Sequence, residues 1–374
     1  MAFDYGDPTP FEQTHIEMLN RARAEPLKEA QRLQIDLLEG VPANTLTTSA
    51  IQPLSSNALL LDIARSHSED MLKQNYFAHN SLAGQSPFER MNTANYAIQT
   101  AGENIAWQGA SGTIDQAAVS LKLHDTLFID KDVPGRGHRT NILNPDFREV
   151  GVGLAFGLFT QSGRSFNSGL VTADFGLRPA SKPIILGVVY EDKNADQFYT
   201  AGEGIANVNV AISTANSTQT ASAGGYGLEV EPNNDYTLTF IHPNHAVFNK
   251  TVHVANLNVK VDLLSNAFTA NTATDAQCAT FVATKLSIPC ISVDGAVLSA
   301  ELVVSNNSPL QFTFQTSALS TQAPASQCGI YDSQTTMARL NCVTVGNDRY
   351  WAELKLETTT PTLTFELAAY GIAQ

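Results

Sequence analysis

The chain has little positive charge, few cysteines and no long apolar run. No stretch approaches the roughly 18 apolar residues of a membrane-spanning helix, so an integral membrane protein is not expected. Its 22 lysines and arginines stand against 36 aspartates and glutamates, and the net charge of -14 argues against nucleic acid or anionic lipid headgroups as main partners. The acidity suits an extracellular protein that binds cations; charge that only keeps the protein soluble is the alternative.

Several signatures of catalysis and export are also missing. There is no HExxH helix, no GxSxG elbow and no plausible cysteine nucleophile, which excludes the common motifs of zinc proteases, serine hydrolases and thiol enzymes. The first residues lack a basic stretch followed by an apolar one, so no signal peptide is predicted; a Met added to a trimmed mature chain is the alternative. The 374 residues leave room for two or three domains.

Three short segments carry the residues best suited to metal binding or proton transfer near neutral pH. His79 lies in Tyr-Phe-Ala-His-Asn, Glu103 in Gly-Glu-Asn-Ile-Ala, and His138 in Gly-His-Arg-Thr-Asn-Ile-Leu. Separations of 24 and 35 residues mean that only a tertiary fold could bring these side chains together.

These segments and their neighbours resemble the CAP family of cysteine-rich secretory, antigen 5 and pathogenesis-related 1 proteins. The resemblance covers about 10–179 and keeps one order: a first helix at 18–23, an apolar helix at 59–71, the three segments, a strand at 149–154 and a closing segment at 171–176. It implies an α-β-α sandwich whose central cavity is lined by two histidines and two acidic residues. His79, Glu103 and His138 match three of these positions, which implies a divalent metal there, most simply zinc.

The fourth cavity position does not carry over cleanly. Residues 114–125 contain no glutamate, and the tryptophan often found on this helix is missing. A helical apolar stripe at 114, 117, 121, 124 and 128 points His124 inward and makes it the candidate fourth metal ligand, with Asp125 beside it. A hydrogen-bonded core histidine is the alternative for His124, and it is the interpretation we favour for His67.

A second region, 183–264, alternates apolar and polar residues as an all-β sandwich does. It resembles the repeat modules of bacterial adhesins and the transthyretin-like domain of carboxypeptidases. One loop has the ligand spacing of an EF-hand calcium site, with Gln197 where glycine is expected at position 6. The predicted calcium ligands, in a structural role, are Asp192, Asn194, Asp196, the Phe198 carbonyl and Glu203. A plain polar loop is the alternative.

The third region, 266–374, contains an internal repeat and all four cysteines. Cys-Ile-Ser-Val at 290–293 returns 52 residues later as Cys-Val-Thr-Val, and Cys278 returns as Cys328 after 50. Repeat symmetry favours the pairs Cys278–Cys290 and Cys328–Cys342 among the three pairings, and disulfides imply the periplasm, the cell surface or the medium. Zinc is the competing interpretation, but no CxxC spacing exists.

The fold class expected is α+β: a CAP sandwich over 10–179, followed by all-β sandwich modules. As a binding protein, the chain would hold a metal and an extracellular lipid, glycan or protein, because CAP relatives are often non-catalytic. As a hydrolase, it would use zinc on His79 and His138 to acidify a bound water, with Glu103 as general base. We favour binding. A third interpretation is a hydrogen-bonded cluster that only supports the sandwich.

Overall fold

The computed structural model describes residues 3–213, 216–242, 248–265, 278–293, 296–320, 329–332, 336–346, 348–360 and 362–372. Its six α-helices all precede residue 143, and most of its twenty strands follow, which confirms a mixed helix and strand architecture with the helices at the N-terminal end. The chain divides into two compact units, one made of 1–210, 216–238 and 251–265, the other of 211–215, 239–250 and 266–374. None of the described helices has the length and apolar character needed to cross a bilayer.

The helices of the first unit begin where the sequence supplies caps. Thr9 and Ser86 each accept the backbone N–H of a glutamate three residues on, and that glutamate accepts the cap residue's own N–H. The helices are α1 (Pro10–Ala24), α2 (Pro26–Arg32), α3 (Ala58–Gln74), α4 (Pro87–Thr93), α5 (Gln116–Ile129) and α6 (Gly137–Ile142), with a 3-10 turn at Pro134–Arg136.

Four strands form the sheet on which these helices pack, in the order β1-β3-β4-β2. They are β1 (Ser55–Ser56), β2 (Thr100–Ala110), β3 (Glu149–Gln161) and β4 (Arg164–Leu177). β2 pairs antiparallel with β4, which places Glu103 directly opposite Asp174. Helix α3 lies so close to β3 that a methyl group on Gly153 would stand 2.2 Å from the backbone of Ala64.

Helices cover both faces of this sheet. On β2, Ile105 packs with Met71 of α3, whereas its neighbour Ala106 joins a buried cluster that includes Leu19 of α1 and Phe128 of α5. Successive side chains of a strand point to opposite faces. The arrangement is therefore the α-β-α sandwich that the sequence predicts.

The next strands form two small sheets. One has the order β11-β5-β12, with β8 also paired to β5, and the other has the order β10-β9-β6-β7. Their bounds are β5 (Ile184–Tyr190), β6 (Asn209–Ser213), β7 (Asn216–Gln219), β8 (Gly225–Glu229), β9 (Asn234–Ile241), β10 (Phe248–Val254), β11 (Val259–Lys260) and β12 (Leu263–Leu264).

Ion pairs tie β8 and β11 to the helical sandwich inside the first unit. Arg178, just after β4, binds Glu149 through two nitrogens and also reaches Glu229 of β8 at 2.7 Å. Lys260 of β11 lies 2.8 Å from Glu17 of α1. Bidentate arginine–carboxylate contacts fix orientation as well as distance. The sandwich and these strands therefore belong to one compact body.

Eight strands make the C-terminal sheet, in the order β13-β14-β15-β16-β20-β19-β18-β17. Two parallel pairings, β13 with β18 and β14 with β17, join the ends of that order and close the sheet. The expectation of a sandwich is wrong for this region, because a closed barrel is found instead. Its strands are β13 (Ala279–Val282), β14 (Lys285–Val293), β15 (Ala296–Asn307), β16 (Leu310–Leu319), β17 (Gly329–Asp332), β18 (Met337–Val345), β19 (Asp348–Thr358) and β20 (Thr364–Ile372).

The cysteine pairing predicted from repeat symmetry is also wrong. Cys278 is bonded to Cys342, which lies in the other repeat. The reason is the barrel closure: β13 of the first repeat pairs with β18 of the second, so the repeats interlock and their cysteines meet across them. Cys290 is disulfide-bonded as well, and Cys328 lies outside the described residues.

Candidate functional site

The first predicted site residue, His79, is held by a buried carboxylate. It lies in the loop after α3, with its side chain 47% exposed, and its Nδ1 donates to Glu103 Oε1 at 2.7 Å. Arg90 of α4 binds the other oxygen of Glu103 and donates to the His79 backbone carbonyl at 2.8 Å. One arginine therefore positions both the histidine and its carboxylate.

A second acid, Asp174, stands behind Glu103. It is fully buried on β4, and within the described residues no N–H or O–H group donates to either of its oxygens. Burial raises the pKa of Asp174 well above its usual value, and the neighbouring Glu103 raises it further. The neutral form of Asp174 is therefore favoured beside Glu103 and Arg90.

His67 supports the loop that carries His79. It is 2% exposed, and its Nε2 lies 3.0 Å from the carbonyl oxygen of Ala78. Burial lowers the pKa of His67, so the neutral ring donates its Nε2 proton to that carbonyl. The prediction that His67 is a hydrogen-bonded core histidine is confirmed.

His138 has its own carboxylate, which is Asp130 and not Glu103. Its Nδ1 donates to Asp130 Oδ1 at 2.7 Å, and its backbone N–H donates to Oδ2 at 2.8 Å. Asp130 ends α5 in the left-handed conformation (φ 51°), which turns its side chain towards the start of α6. Asn104 of β2 donates to the His138 carbonyl at 2.9 Å, which ties this turn to the strand that carries Glu103.

The two histidines thus share one geometry. In each, Nδ1 donates to the carboxylate of a side chain that is no more than 2% exposed. The histidine side chains themselves are partly exposed to solvent, 47% for His79 and 25% for His138. Neither Nε2 has a hydrogen-bond partner within the described part of the chain. A carboxylate on Nδ1 fixes the tautomer and leaves Nε2 as a lone-pair donor, as in histidines that bind metals.

His124 does not lie in this site. It is fully buried, and its Nε2 contacts Glu29 of α2 at 3.0 Å. Glu29, His124 and Asp125 form the one group of three among the described histidines, cysteines and acids with ligand atoms within 4.8 Å of one another. Arg21 and Arg32 already bind both oxygens of Glu29, so this cluster is a core ion-pair network. The structure thus supports the alternative of a core histidine.

The predicted calcium loop follows β5, and its side-chain oxygens accept hydrogen bonds from backbone N–H groups of the same loop. Glu203 is buried, and its two oxygens accept the N–H groups of Lys193 and Thr200 at 3.0 and 2.7 Å. The other side chains bind locally: Asp192 accepts from the N–H of Asp196 and of Gln197, Asn194 from that of Asp196, and Asp196 from that of Phe198. Among the described residues, its acids do not converge as a group of three within 4.8 Å. Calcium at this loop stays a prediction.

Comparison with known proteins identifies the helical sandwich. Residues 16–163 match the profile of the CAP, or cysteine-rich secretory protein, family. This segment is a CAP domain. The chain is 36% identical over 104 residues to the uncharacterized protein YkwD of Bacillus subtilis (strain 168), covering 28% of this chain and 35% of that protein. It is also 36% identical over 101 residues to the uncharacterized membrane protein YlbC of the same strain, covering 27% and 25%. The chain therefore spans about a third or less of these relatives.

Two solved structures are also similar to parts of the chain. One is an extracellular protein with an SCP domain from Bacillus anthracis str. Ames, with 22% identity, coverage of 45% of this chain and 41% of that one, and a TM-score of 0.27. The other is an outer surface protein of Borrelia burgdorferi, with 14% identity, coverage of 44% and 93%, and a TM-score of 0.27.

Sequence reasoning missed three residues around the predicted site: Arg90 and Asp174 beside Glu103, and Asp130 on His138. Asp130 has a local signal, since an aspartate eight residues before His138 ends the preceding helix. Arg90 and Asp174 have none, because they reach Glu103 through tertiary packing of α4 and β4.

Proposed function

We propose that this chain is an extracellular or cell-surface bacterial binding protein whose CAP domain binds a divalent metal ion, and through it a ligand. The observation that carries the proposal is the pair of histidines, His79 and His138, each with Nδ1 bonded to a buried carboxylate at 2.7 Å. Among the described residues, His79, Glu103 and His138 do not form a group of three with ligand atoms within 4.8 Å of one another. The metal ligands would therefore be the two Nε2 atoms, with Glu103 and Asp130 bonded to the opposite ring nitrogens.

The donor set suits zinc best. Neutral imidazole nitrogens are preferred zinc ligands, and two of them leave coordination positions for groups of a bound ligand. Each carboxylate accepts the Nδ1 proton of its histidine, which leaves the Nε2 lone pair as the side that can meet a metal ion. When bound, the ion would supply an attachment point for a carboxylate, phosphate or carbonyl oxygen.

An extracellular location is supported by the disulfide between Cys278 and Cys342. Disulfides persist in oxidising compartments and are rare in the cytosol. The acidic balance, with a net charge of -14, is in keeping with a protein that meets cations outside the cell.

The alternative, a zinc-dependent hydrolase, has less support. A general base needs an oxygen free to accept a proton from water. Both oxygens of Glu103 are taken, one by His79 and the other by Arg90, and Asp174 lies behind it. A carboxylate held in this way orients a histidine better than it activates water.

The test is zinc uptake by the full chain, stripped of metal and then titrated by calorimetry. His79→Ala and His138→Ala should each abolish one zinc equivalent or weaken it at least tenfold. Asp130→Asn should weaken it roughly 10–100-fold, the usual effect of removing a carboxylate behind a metal-binding histidine.

His253→Ala is the matched control. His253 also bonds an aspartate through Nδ1, at 2.8 Å to Asp235, but on exposed strands outside the CAP domain. Unchanged zinc affinity in both CAP variants, or an equal loss in the control, would overturn the proposal. Zinc-dependent turnover of peptides or esters that Glu103→Gln removes would favour the hydrolase instead.

A further inference from the structure

The C-terminal barrel turns apolar side chains inward. Along β15, Leu298, Ala300, Leu302 and Val304 follow one another at every second position, and all belong to the barrel core or pack against it. Alternation with period two puts one face of each strand inside a closed sheet. The inside of this barrel is therefore lined mainly by apolar side chains.

Side chains do not fill this interior. A pocket of about 420 Å³, partly open to solvent, lies among them. A single water needs only roughly 10–15 Å³ of such space, and close-packed interiors contain few voids much larger than that. The cavity also exceeds the roughly 150 Å³ at which an engineered apolar void already takes up benzene. The pocket therefore has room for a small ligand.

The lining defines the chemistry of an occupant. The described residues around the cavity carry no charge, and only Ser317, Tyr331 and Thr359 bring hydroxyl groups; the others include Ile288, Leu298, Leu354 and Phe365. Ligand sites of about 300–1,000 Å³ are lined by such apolar walls with a few polar groups that orient the guest. A charged group would be desolvated there without a partner, which is costly.

We propose that the barrel binds one neutral, mainly hydrocarbon molecule, such as a long-chain alcohol, with its polar end at the hydroxyl groups. Eight-stranded barrels are the size at which the interior is either filled by side chains or holds one small ligand. The disulfide from Cys278 to Cys342 crosses the two repeats where β13 meets β18, so the wall is covalently fixed before any ligand arrives. A preformed site loses less entropy on binding.

The experiment titrates the full chain with the neutral fluorescent probe N-phenyl-1-naphthylamine and then displaces it with hexadecanol or hexadecanoate. We expect saturable one-to-one binding, displacement by hexadecanol, and at least tenfold weaker displacement by the charged hexadecanoate. Ala338→Phe places a ring in the cavity from β18 and should weaken probe binding at least tenfold.

Ala318→Phe is the matched control, because Ala318 is exposed on β16 of the same barrel. It should bind the probe as the wild type does. If Ala338→Phe fails to unfold cooperatively, Ala300→Leu, a smaller filling of the same cavity, takes its place. Wild-type affinity in a folded cavity-filling variant would refute the proposal, and equal displacement by both competitors would refute the neutral ligand. His79→Ala should leave probe binding unchanged, which separates this site from the metal site.

Discussion

Replacing Asp174 with asparagine should stabilise the CAP domain at neutral pH. Asp174 is fully buried, and burial followed by the neighbouring Glu103 raises the pKa of its carboxyl well above the usual value. The folded protein therefore keeps a proton that the unfolded chain releases above about pH 3.8, the ordinary pKa. Wild-type stability falls as pH rises through that window. Asparagine presents an N–H to Glu103 in place of that proton and does not titrate.

The size of the effect follows from one proton. When the folded state binds one proton more than the unfolded state, the free energy of unfolding falls by about 1.36 kcal/mol per pH unit. The difference in free energy of unfolding between Asp174→Asn and the wild type should therefore grow by up to about 2.7 kcal/mol from pH 5 to pH 7. Below about pH 3.8, Asp174 is protonated in both the folded and the unfolded wild type. The difference in free energy of unfolding between the two proteins should therefore no longer change with pH.

The assay is urea unfolding at pH 5, 6 and 7. Trp107 lies on β2 in the CAP domain, and Trp351→Phe removes the other tryptophan, so fluorescence reports on this domain. Asp146→Asn, an exposed aspartate of the same domain, is the control and should show no such trend. A pH-independent difference between wild type and Asp174→Asn would show that the buried carboxyl is ionised, and the reasoning would fail.

Two further outcomes test the packing and the barrel. Gly153→Ala would put a methyl group 2.2 Å from the backbone of α3 and should lower the free energy of unfolding by about 3 kcal/mol or more. Gly112→Ala is the control: its methyl group would meet nothing within 4 Å, and its free energy of unfolding should stay within about 0.5 kcal/mol of the wild type. Equal urea midpoints for the two variants would contradict the close approach of α3. Replacing Cys278 and Cys342 with alanine opens a 64-residue loop and should lower the free energy of unfolding of the barrel by about 4 kcal/mol through loop-closure entropy. Urea unfolding monitored by Trp351 fluorescence measures this loss. If the double variant and the wild type unfold at the same urea concentration, this disulfide contributes nothing to stability.

The CAP domain is the part of this protein that the sequence could predict, because its motifs occur in the same order as in the family that they resemble. In the structure, Gly-Glu-Asn lies on β2 and carries Glu103, and Gly-His-Arg begins α6 with His138 in its first turn. Helical periodicity likewise pointed His67 and His124 inward, and both are buried. Periodicity says that a side chain points in, but not what it meets, so the contact between His124 and Glu29 could not be foreseen.

The barrel could be predicted only in part. Alternation shows strands, and the repeat shows that two halves share a structure, but neither fixes which strands pair. The assumption that each repeat closes on itself led to the wrong cysteine pairs, because the parallel contacts of β13 with β18 and β14 with β17 exchange the strands between the halves.

This exchange of strands has a consequence for how the barrel closes. Exchanging the two repeats converts the pairing of β13 with β18 into the pairing of β17 with β14, so these two contacts are equivalent. The same exchange converts the pairing of β16 with β20 into itself. A lone repeat would expose unpaired strand edges and half of an apolar interior, which a soluble protein cannot sustain. Its natural remedy is a second copy bound through a self-complementary twofold interface. Because both repeats lie on one polypeptide, this protein makes the equivalent contacts within a single chain, and closure of its barrel needs no partner subunit.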